Sequence, residues 1–375
     1  MRIPLAQADI GPAELRIVTE VIKSGRLALG PKLAEFEHVI ADYVGVGHAV
    51  ALNSGTSALH LILEGLGIGE GDEVITTSFS FVASANCILF VCATPVFVDI
   101  DPVTLCIDPA RIEAAITPRT KAILAVDVFG HPADWPALER IAKAHDLLLI
   151  EDSAEALGST LGGRRCGSFG RAGIFGFYPN KQITTGEGGV VVTDDAELAR
   201  LCRSMANQGR GDGDAWLKHV RLGYNFRMDE LSAALGVVQL ARINEFIEAR
   251  TRVASWYEEA LAACPHIVTP SVIDQATQSW FVYVVRLAEA LNETQRDAIL
   301  AALERDGIGC RNYFAPIHLQ PFYRESLGTS EGTFPVTEAV GARTIALPFF
   351  NRLTRDQVAR VVDALLRAID EARRG

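Results

Sequence analysis

Lysine is scarce in this chain: of 375 residues, only Lys23, Lys32, Lys121, Lys143, Lys181 and Lys218 carry a primary ammonium side chain. Basic charge is short overall, with 35 Lys plus Arg against 46 Asp plus Glu and a formal net charge of -11. That balance disfavours a surface that tracks the phosphates of nucleic acid or an anionic membrane, so neither is expected as a partner. An anionic ligand must instead be held locally, by loops and helix ends. No apolar run reaches the roughly 20 residues that a bilayer-spanning helix needs. The opening MRIPLAQADIG lacks the basic stretch and apolar core of a secretion signal, and a soluble, cytoplasmic protein is expected. The cysteines, Cys87, Cys92, Cys106, Cys166, Cys202, Cys264 and Cys310, are odd in number and scattered. They read as small buried hydrophobes, with neither a disulfide framework nor a metal site expected. No G-x-G-x-x-G opens the first strand-helix unit, which sets aside a nicotinamide dehydrogenase. Repeats and low-complexity tracts are also missing, and RGDGD at 210–214 reads as a mobile loop.

What is present is an alternation of apolar β-rich runs with helix-sized segments. The runs are AVAL (49–52), EVITT (73–77), PVFVDI (95–100), AILAVDVFG (122–130), LLLIEDSAEA (147–156) and GGVVVT (188–193). Continuous Val/Ile/Leu runs suit strands buried on both faces, which predicts a mostly parallel sheet with its ligands at the strands' carboxyl ends. After a helix-rich passage from Gly223 to about Arg252, SWFVYVVRL (279–287) restarts an extended pattern. The expected organisation is α/β, with a large domain over 1–245 and a smaller C-terminal α/β domain over 246–375. An opening helix from Pro12 to about Ser24 should pack back on one of them.

Three segments carry chemistry. In FYPNKQITTGEGGVVVT, Lys181 precedes a glycine-rich turn and an apolar strand, beside Phe175, Phe177 and Tyr178. A lysine that forms a Schiff base must first lose its proton, which burial among such groups favours. The other five lysines sit in charged, helix-like surroundings. In LLLIEDSAEALGS, a buried strand ends on Glu151 and Asp152. Pyridoxal phosphate acts as an electron sink only while its pyridine nitrogen stays protonated, and Asp152 fits the partner of that nitrogen. In ALNSGTSALHLILEGLG, Ser54, Gly55, Thr56 and Ser57 stand between a strand and an amphipathic helix, where free amides and the helix dipole bind phosphate. Taken singly, each segment has an ordinary reading: a turn lysine, a carboxylate capping the next helix, a Ser/Thr helix cap. Their joint occurrence and order give the functional reading its force.

SGTSALHL, SFSFVASAN, GHPAD, IEDSAEALGS, GFYPNKQITTGEGG and LGYNFRMDELSAAL closely resemble the DegT/DnrJ/EryC1/StrS sugar aminotransferases, with GDP-perosamine synthases the most similar branch. The resemblance runs from the opening helix to NYFAPIHLQPFY and ALPFFNRLT. It implies a type I PLP-dependent aminotransferase fold and a homodimer with active sites at the subunit interface. By motif, Lys181 would be the lysine that bonds pyridoxal 5'-phosphate, with pyridoxamine 5'-phosphate as the other cofactor form, and Asp152 would pair with the pyridine nitrogen. Phe81 would stack on the ring, Gly55, Thr56 and Ser57 would form the phosphate cup, and Asn225 would reach the phosphate from the partner chain. Glu155 stands where many relatives carry Gln or His and perosamine synthases carry Glu, which favours a 4-keto sugar. Arg311, Tyr313 and His318 are candidate contacts for the sugar or its diphosphate, His318 being equally a structural histidine in a Pro-flanked turn.

The resemblance also has departures. Gly176 replaces the usual phosphate-binding Ser, a lost hydrogen bond worth about 1–3 kcal/mol in a buried site. Asp127 replaces a His, and Leu27 and Ala28 replace an aromatic-aliphatic pair; these bear on which sugar is taken. The expected reaction moves an amino group, with glutamate as the implied donor, onto the 4-keto carbon of a nucleotide-linked 6-deoxy sugar. Amination at C3 of a dTDP- or UDP-sugar and a non-catalytic regulatory protein that binds the cofactor are the alternatives. A dehydratase of the same fold is disfavoured because those relatives replace the lysine with histidine.

Overall fold

The computed structural model describes residues 2–211 and 218–374, so residues 212–214 of the expected mobile loop lie outside the described residues. A seven-stranded sheet is built from β1 (His48–Leu52), β2 (Glu73–Thr77), β3 (Thr94–Val98), β4 (Thr120–Val126), β5 (Leu148–Asp152), β6 (Ala172–Gly176) and β7 (Gly189–Thr193). Its order is β1-β7-β6-β5-β4-β2-β3. Strands β3, β2, β4, β5 and β6 pair in parallel, and β7 runs antiparallel to both β6 and β1. Each apolar run read from the sequence overlaps one of these strands, although 122–130 and 147–156 run four residues past the ends of β4 and β5. The exception is β6, AGIFG, whose glycines hide it from an apolar pattern; a Cβ at Gly173 would come within 2.9 Å of Gly167.

Both faces of the sheet are covered, as the near-continuous apolar strands require. One face packs α3 (Gly55–Gly65), α4 (Ala83–Phe90), α5 (Trp135–Ala144) and α6 (Ala196–Ala206) through Leu59, Ile62, Ile88, Leu138 and Cys202. The other packs α2 (Pro31–Val44) and α7 (Glu230–Ala241) through Phe36, Ile40, Ala233 and Leu240. In β7 the period of two divides the residues cleanly, with Val191 on the first face and Val190 and Val192 on the second. The opening helix α1 (Pro12–Ser24) packs on α7.

A second core surrounds a three-stranded antiparallel sheet of β8 (Ile267–Val268), β9 (Tyr283–Leu287) and β10 (Thr344–Leu347). It is covered by α8 (Ile243–Leu261), α9 (Glu293–Arg305) and α10 (Arg355–Arg374) through Tyr257, Leu303 and Leu365. The expected junction at 245/246 falls inside α8, where Phe246 joins the first core and Val253 and Tyr257 join the second. The amino terminus also belongs with the second core: Ile3 donates its amide to Gly307 O at 2.9 Å. The cysteines are free, with Cys87, Cys106, Cys166, Cys202 and Cys310 buried and Cys92 exposed. Among the described residues no helix is long and apolar enough to cross a membrane.

Candidate active site

Three strand ends, those of β4, β5 and β6, and two helix starts converge on one cavity of about 630 Å³. On one side stands the start of α3. Ser54 caps it, its hydroxyl accepting the Ser57 amide at 3.1 Å, and the first intrahelical bond is Ala58 N to Ser54 O. The amides of Gly55 and Thr56 therefore precede the helix ladder, and both residues line the cavity. Gly189 makes this approach possible, since a Cβ there would overlap Ser54 C and Gly55 N. Ser57 stands apart from Gly55 and Thr56. Its hydroxyl turns away to Asn53 Oδ1 at 2.7 Å, and the residue is off the cavity wall.

Opposite, β5 ends on Asp152, which is 4% exposed and lines the cavity. Its Oδ2 accepts from Ser84 Oγ at 2.7 Å and its Oδ1 from the Ala154 amide at 3.2 Å. Burial raises this carboxyl above its ordinary range, while the Ser84 and Ala154 bonds and the Lys181 charge pull the other way. Ser84 went unnoticed in the sequence, although its place one helical turn after Phe81 was a usable signal. Lys181 sits in a turn, its amide bonded to Tyr178 O at 2.9 Å. Its Nζ lies 3.4 Å from Glu155 Oε1 and 3.9 Å from the centre of the Phe281 ring. Glu155 also accepts the Phe129 amide at 2.8 Å; burial raises its carboxyl, and Lys181 and that amide oppose the rise. Phe281 lies far from Lys181 in sequence and carried no motif.

Phe81 lines the cavity and is 62% exposed, which places it on the wall and not in the core. Tyr313 lines it too, stacked on Phe314 at 5.1 Å, with burial raising its phenol. The remaining candidates are elsewhere. Asn225 is exposed away from the wall, its carbonyl facing Asn53. Arg311 pairs with Glu304 and lines a separate hollow near Arg2 and Arg305. His318 is fully buried, with Nδ1 2.6 Å from Ser78 Oγ and Nε2 3.1 Å from Glu338 Oε1, so both ring nitrogens have protein partners, as the structural of its two readings has it. Asp127 is fully buried outside the cavity, accepting from Ala133 N and Trp135 Nε1. Its side chain thus meets protein groups and not the cavity wall. Leu27 and Ala28 are exposed and off the cavity wall.

The donor set fits pyridoxal phosphate. It offers free amides at a helix start for a phosphate, a buried carboxylate for a ring nitrogen, an aromatic face and an amine, all on one cavity. Asn180, on the same wall, keeps a buried Oδ1 without a partner in the protein. Gly176 leaves open space: a Cβ at this position would find Ala154 Cβ as its nearest neighbour, at 3.6 Å.

Amine, carboxylate and amide cup on the carboxyl edge of this sheet define a pyridoxal-phosphate-dependent aminotransferase of fold type I. The chain belongs to the DegT/DnrJ/EryC1/StrS aminotransferase family, whose profile matches residues 8–366. It is 43% identical over 366 residues to the GDP-perosamine synthase of Caulobacter vibrioides, covering 97% of each chain. It is 39% identical over 373 residues to the spore coat polysaccharide biosynthesis protein SpsC of Bacillus subtilis, covering 97% of this chain and 96% of that one. The PLP-form of a putative sugar aminotransferase, Spr1654 of Streptococcus pneumoniae, superposes with a TM-score of 0.94 at 30% identity, over 99% of this chain and 100% of that one.

Proposed function

We propose that this enzyme transfers an amino group from glutamate to the 4-keto carbon of a nucleotide-linked 6-deoxy sugar, as a homodimer with shared active sites. The observation that carries the reading is the convergence of Lys181, Asp152 and the α3 amides on one cavity in a chain similar to a GDP-perosamine synthase. Glu155, beside Lys181, supports the 4-keto preference through the resemblance of this position to the perosamine branch.

Bound pyridoxal phosphate supplies a carbonyl that carries the amino group and a ring that takes up electrons when a proton leaves carbon. Gly55 and Thr56 would hold its phosphate with their amides, and Asp152 would keep its ring nitrogen protonated. Phe81 offers a face to the ring. Lys181 Nζ is the amine placed to take the proton from the donor's α-carbon and to move a proton in the reverse sense once the keto sugar has entered. Two successive half-reactions predict ping-pong kinetics. Asn225 is the residue assigned to reach a phosphate in the partner's site, and light scattering of the purified enzyme should give twice the chain mass.

The test is spectroscopic. The enzyme loaded with pyridoxal phosphate should lose its visible band on adding glutamate and regain it with a GDP-linked 4-keto-6-deoxy sugar. Recovery with a dTDP- or UDP-linked 3-keto sugar alone would replace the 4-keto reading by C3 amination. A band indifferent to glutamate and to other amino donors would point to a silent cofactor binder.

A further inference from the structure

Arg250, on α8, is 3% exposed, and its guanidinium meets no carboxylate at ion-pair distance among the described residues. Its hydrogen-bond partners are main-chain carbonyls, and the centre of the Phe349 ring lies 5.6 Å from it. One terminal nitrogen donates to Trp280 O and Phe281 O, both at 3.1 Å, and the other donates to Lys181 O at 3.0 Å. The Nε is buried without a partner. Burial pulls the guanidinium down to about 10, with a small opposing pull from Asp9. A cation buried in this way is costly, and a packed apolar side chain would serve α8 better unless those three carbonyls require the guanidinium.

The carbonyls belong to the two segments that meet at the lysine amine. Lys181 Nζ lies over the ring of Phe281, and the guanidinium bonds the main chain of both residues. Neither segment is held there by a strand ladder: Lys181 is in a turn, and Trp280 has the left-handed φ of 56°, which a non-glycine residue keeps only under constraint. Gln182 adds a parallel tie, its Nε2 donating to Ser279 Oγ at 2.8 Å.

We propose that Arg250 is a positioning residue for amino transfer, tying the main chain of Lys181 to that of Trp280 and Phe281 and so setting where Nζ stands in the cavity. The inference rests on Lys181 being the lysine that bonds the cofactor. Misplacing a reacting group by about 1 Å costs on the order of a hundredfold in rate, so a loosened Lys181 should show in the speed of bond formation and not in phosphate binding.

The experiment compares the native enzyme with Arg250→Met, Arg250→Gln and Arg250→Lys. Circular dichroism and melting report folding. Mixing cofactor-free protein with pyridoxal phosphate reports how fast the visible band develops. Acylation of cofactor-free protein, read by peptide mass spectrometry, reports Lys181 reactivity against the exposed Lys121 as internal control. For Arg250→Met we expect a folded protein that develops the band at least tenfold more slowly and labels Lys181 severalfold faster relative to Lys121, with Arg250→Lys recovering part of both. A folded Arg250→Met within twofold of native in both readouts overturns the proposal. Should it not fold, Arg250→Gln, which keeps two donors without the charge, decides in the same way. If neither folds, Arg250 is a purely structural clamp and the positioning role is overturned. A native protein that develops no band would instead sink the reading of Lys181 itself.

Discussion

Removing the Lys181 side chain leaves Glu155 still bonded to the Phe129 amide and Phe281 still packed, so the cavity has no reason to collapse. Lys181→Ala should melt close to native, develop no visible band on adding pyridoxal phosphate, and lose roughly 10² to 10⁴ in turnover, the range a positioned acid-base group supplies. Unchanged turnover would remove Lys181 from its role. At Gly176 a Cβ meets ordinary van der Waals contact, so Gly176→Ser should fold and add one hydrogen bond toward the phosphate. A bond of about 1 kcal/mol corresponds to cofactor binding tighter by roughly fivefold in equilibrium dialysis; weaker binding would mean that the hydroxyl cannot reach. These two positions also mark what the sequence disclosed. Lysine is rare here and only one stands beside a glycine-rich turn, while Asp152 closes an unbroken apolar strand; residue type and context sufficed. Nothing in PIHLQPFY says which side of a Pro-flanked segment faces the cavity, which is why the sequence leaves His318 with two readings. Phe281 and Arg250 act only through the tertiary approach of segments distant in sequence.

The start of α3 depends on the neighbouring strand as much as on its own cap. Ser54 fixes the first turn, yet it is the absence of a side chain at Gly189, on β7, that lets the amides of Gly55 and Thr56 reach the cavity wall. Gly189→Ala should push the helix start outward, costing about 1–3 kcal/mol of stability as an overpacked contact and weakening cofactor binding by more than tenfold. A melting curve and a binding isotherm check both, and a variant that melts lower but binds normally would show that the cup tolerates the shift. Elements rich in Val and Ile were legible as strands. The glycine-bearing β6 was not, because the close approach of Gly167 and Gly173 that it needs removes the apolar signal.

Near neutrality the stability of the whole molecule should carry the signature of a single buried proton beneath the sheet edge. Ser153 Oγ lies 2.6 Å from Asp127 Oδ2 and 3.0 Å from Glu151 Oε1, and one hydroxyl has one proton to give. With both carboxyls ionised, one would face a lone pair. With Asp127 protonated every bond closes: its Oδ1 accepts from Ala133 N and Trp135 Nε1, its Oδ2 donates to Ser153, and Ser153 donates to Glu151, which also accepts the Gly167 and Phe169 amides. Burial pushes both carboxyls up, Asp127 from 3.8 to about 6 and Glu151 from 4.5 to about 8, the Asp127 charge adding to the rise at Glu151; the two titrate as a pair, and the amides on both Glu151 oxygens favour the shared proton on Asp127. Below those ordinary values folded and unfolded chains hold the same protons. Between them and about 6 the folded chain keeps up to two protons that the unfolded chain has lost, and from there to about 8 it keeps one, so stability falls as pH rises and levels off above that window. Asp127→Asn replaces the shared proton by an amide N–H, so its melting temperature should gain steadily on the native value from pH 5 to pH 8. Asp127→Ala, which leaves Trp135 and Ser153 unpaired, should lose about 1–3 kcal/mol instead. Parallel melting curves for the native and Asn chains across that range would mean that the pair is ionised throughout, and that the amides, the Trp135 indole and the Ser153 hydroxyl hold two buried charges side by side.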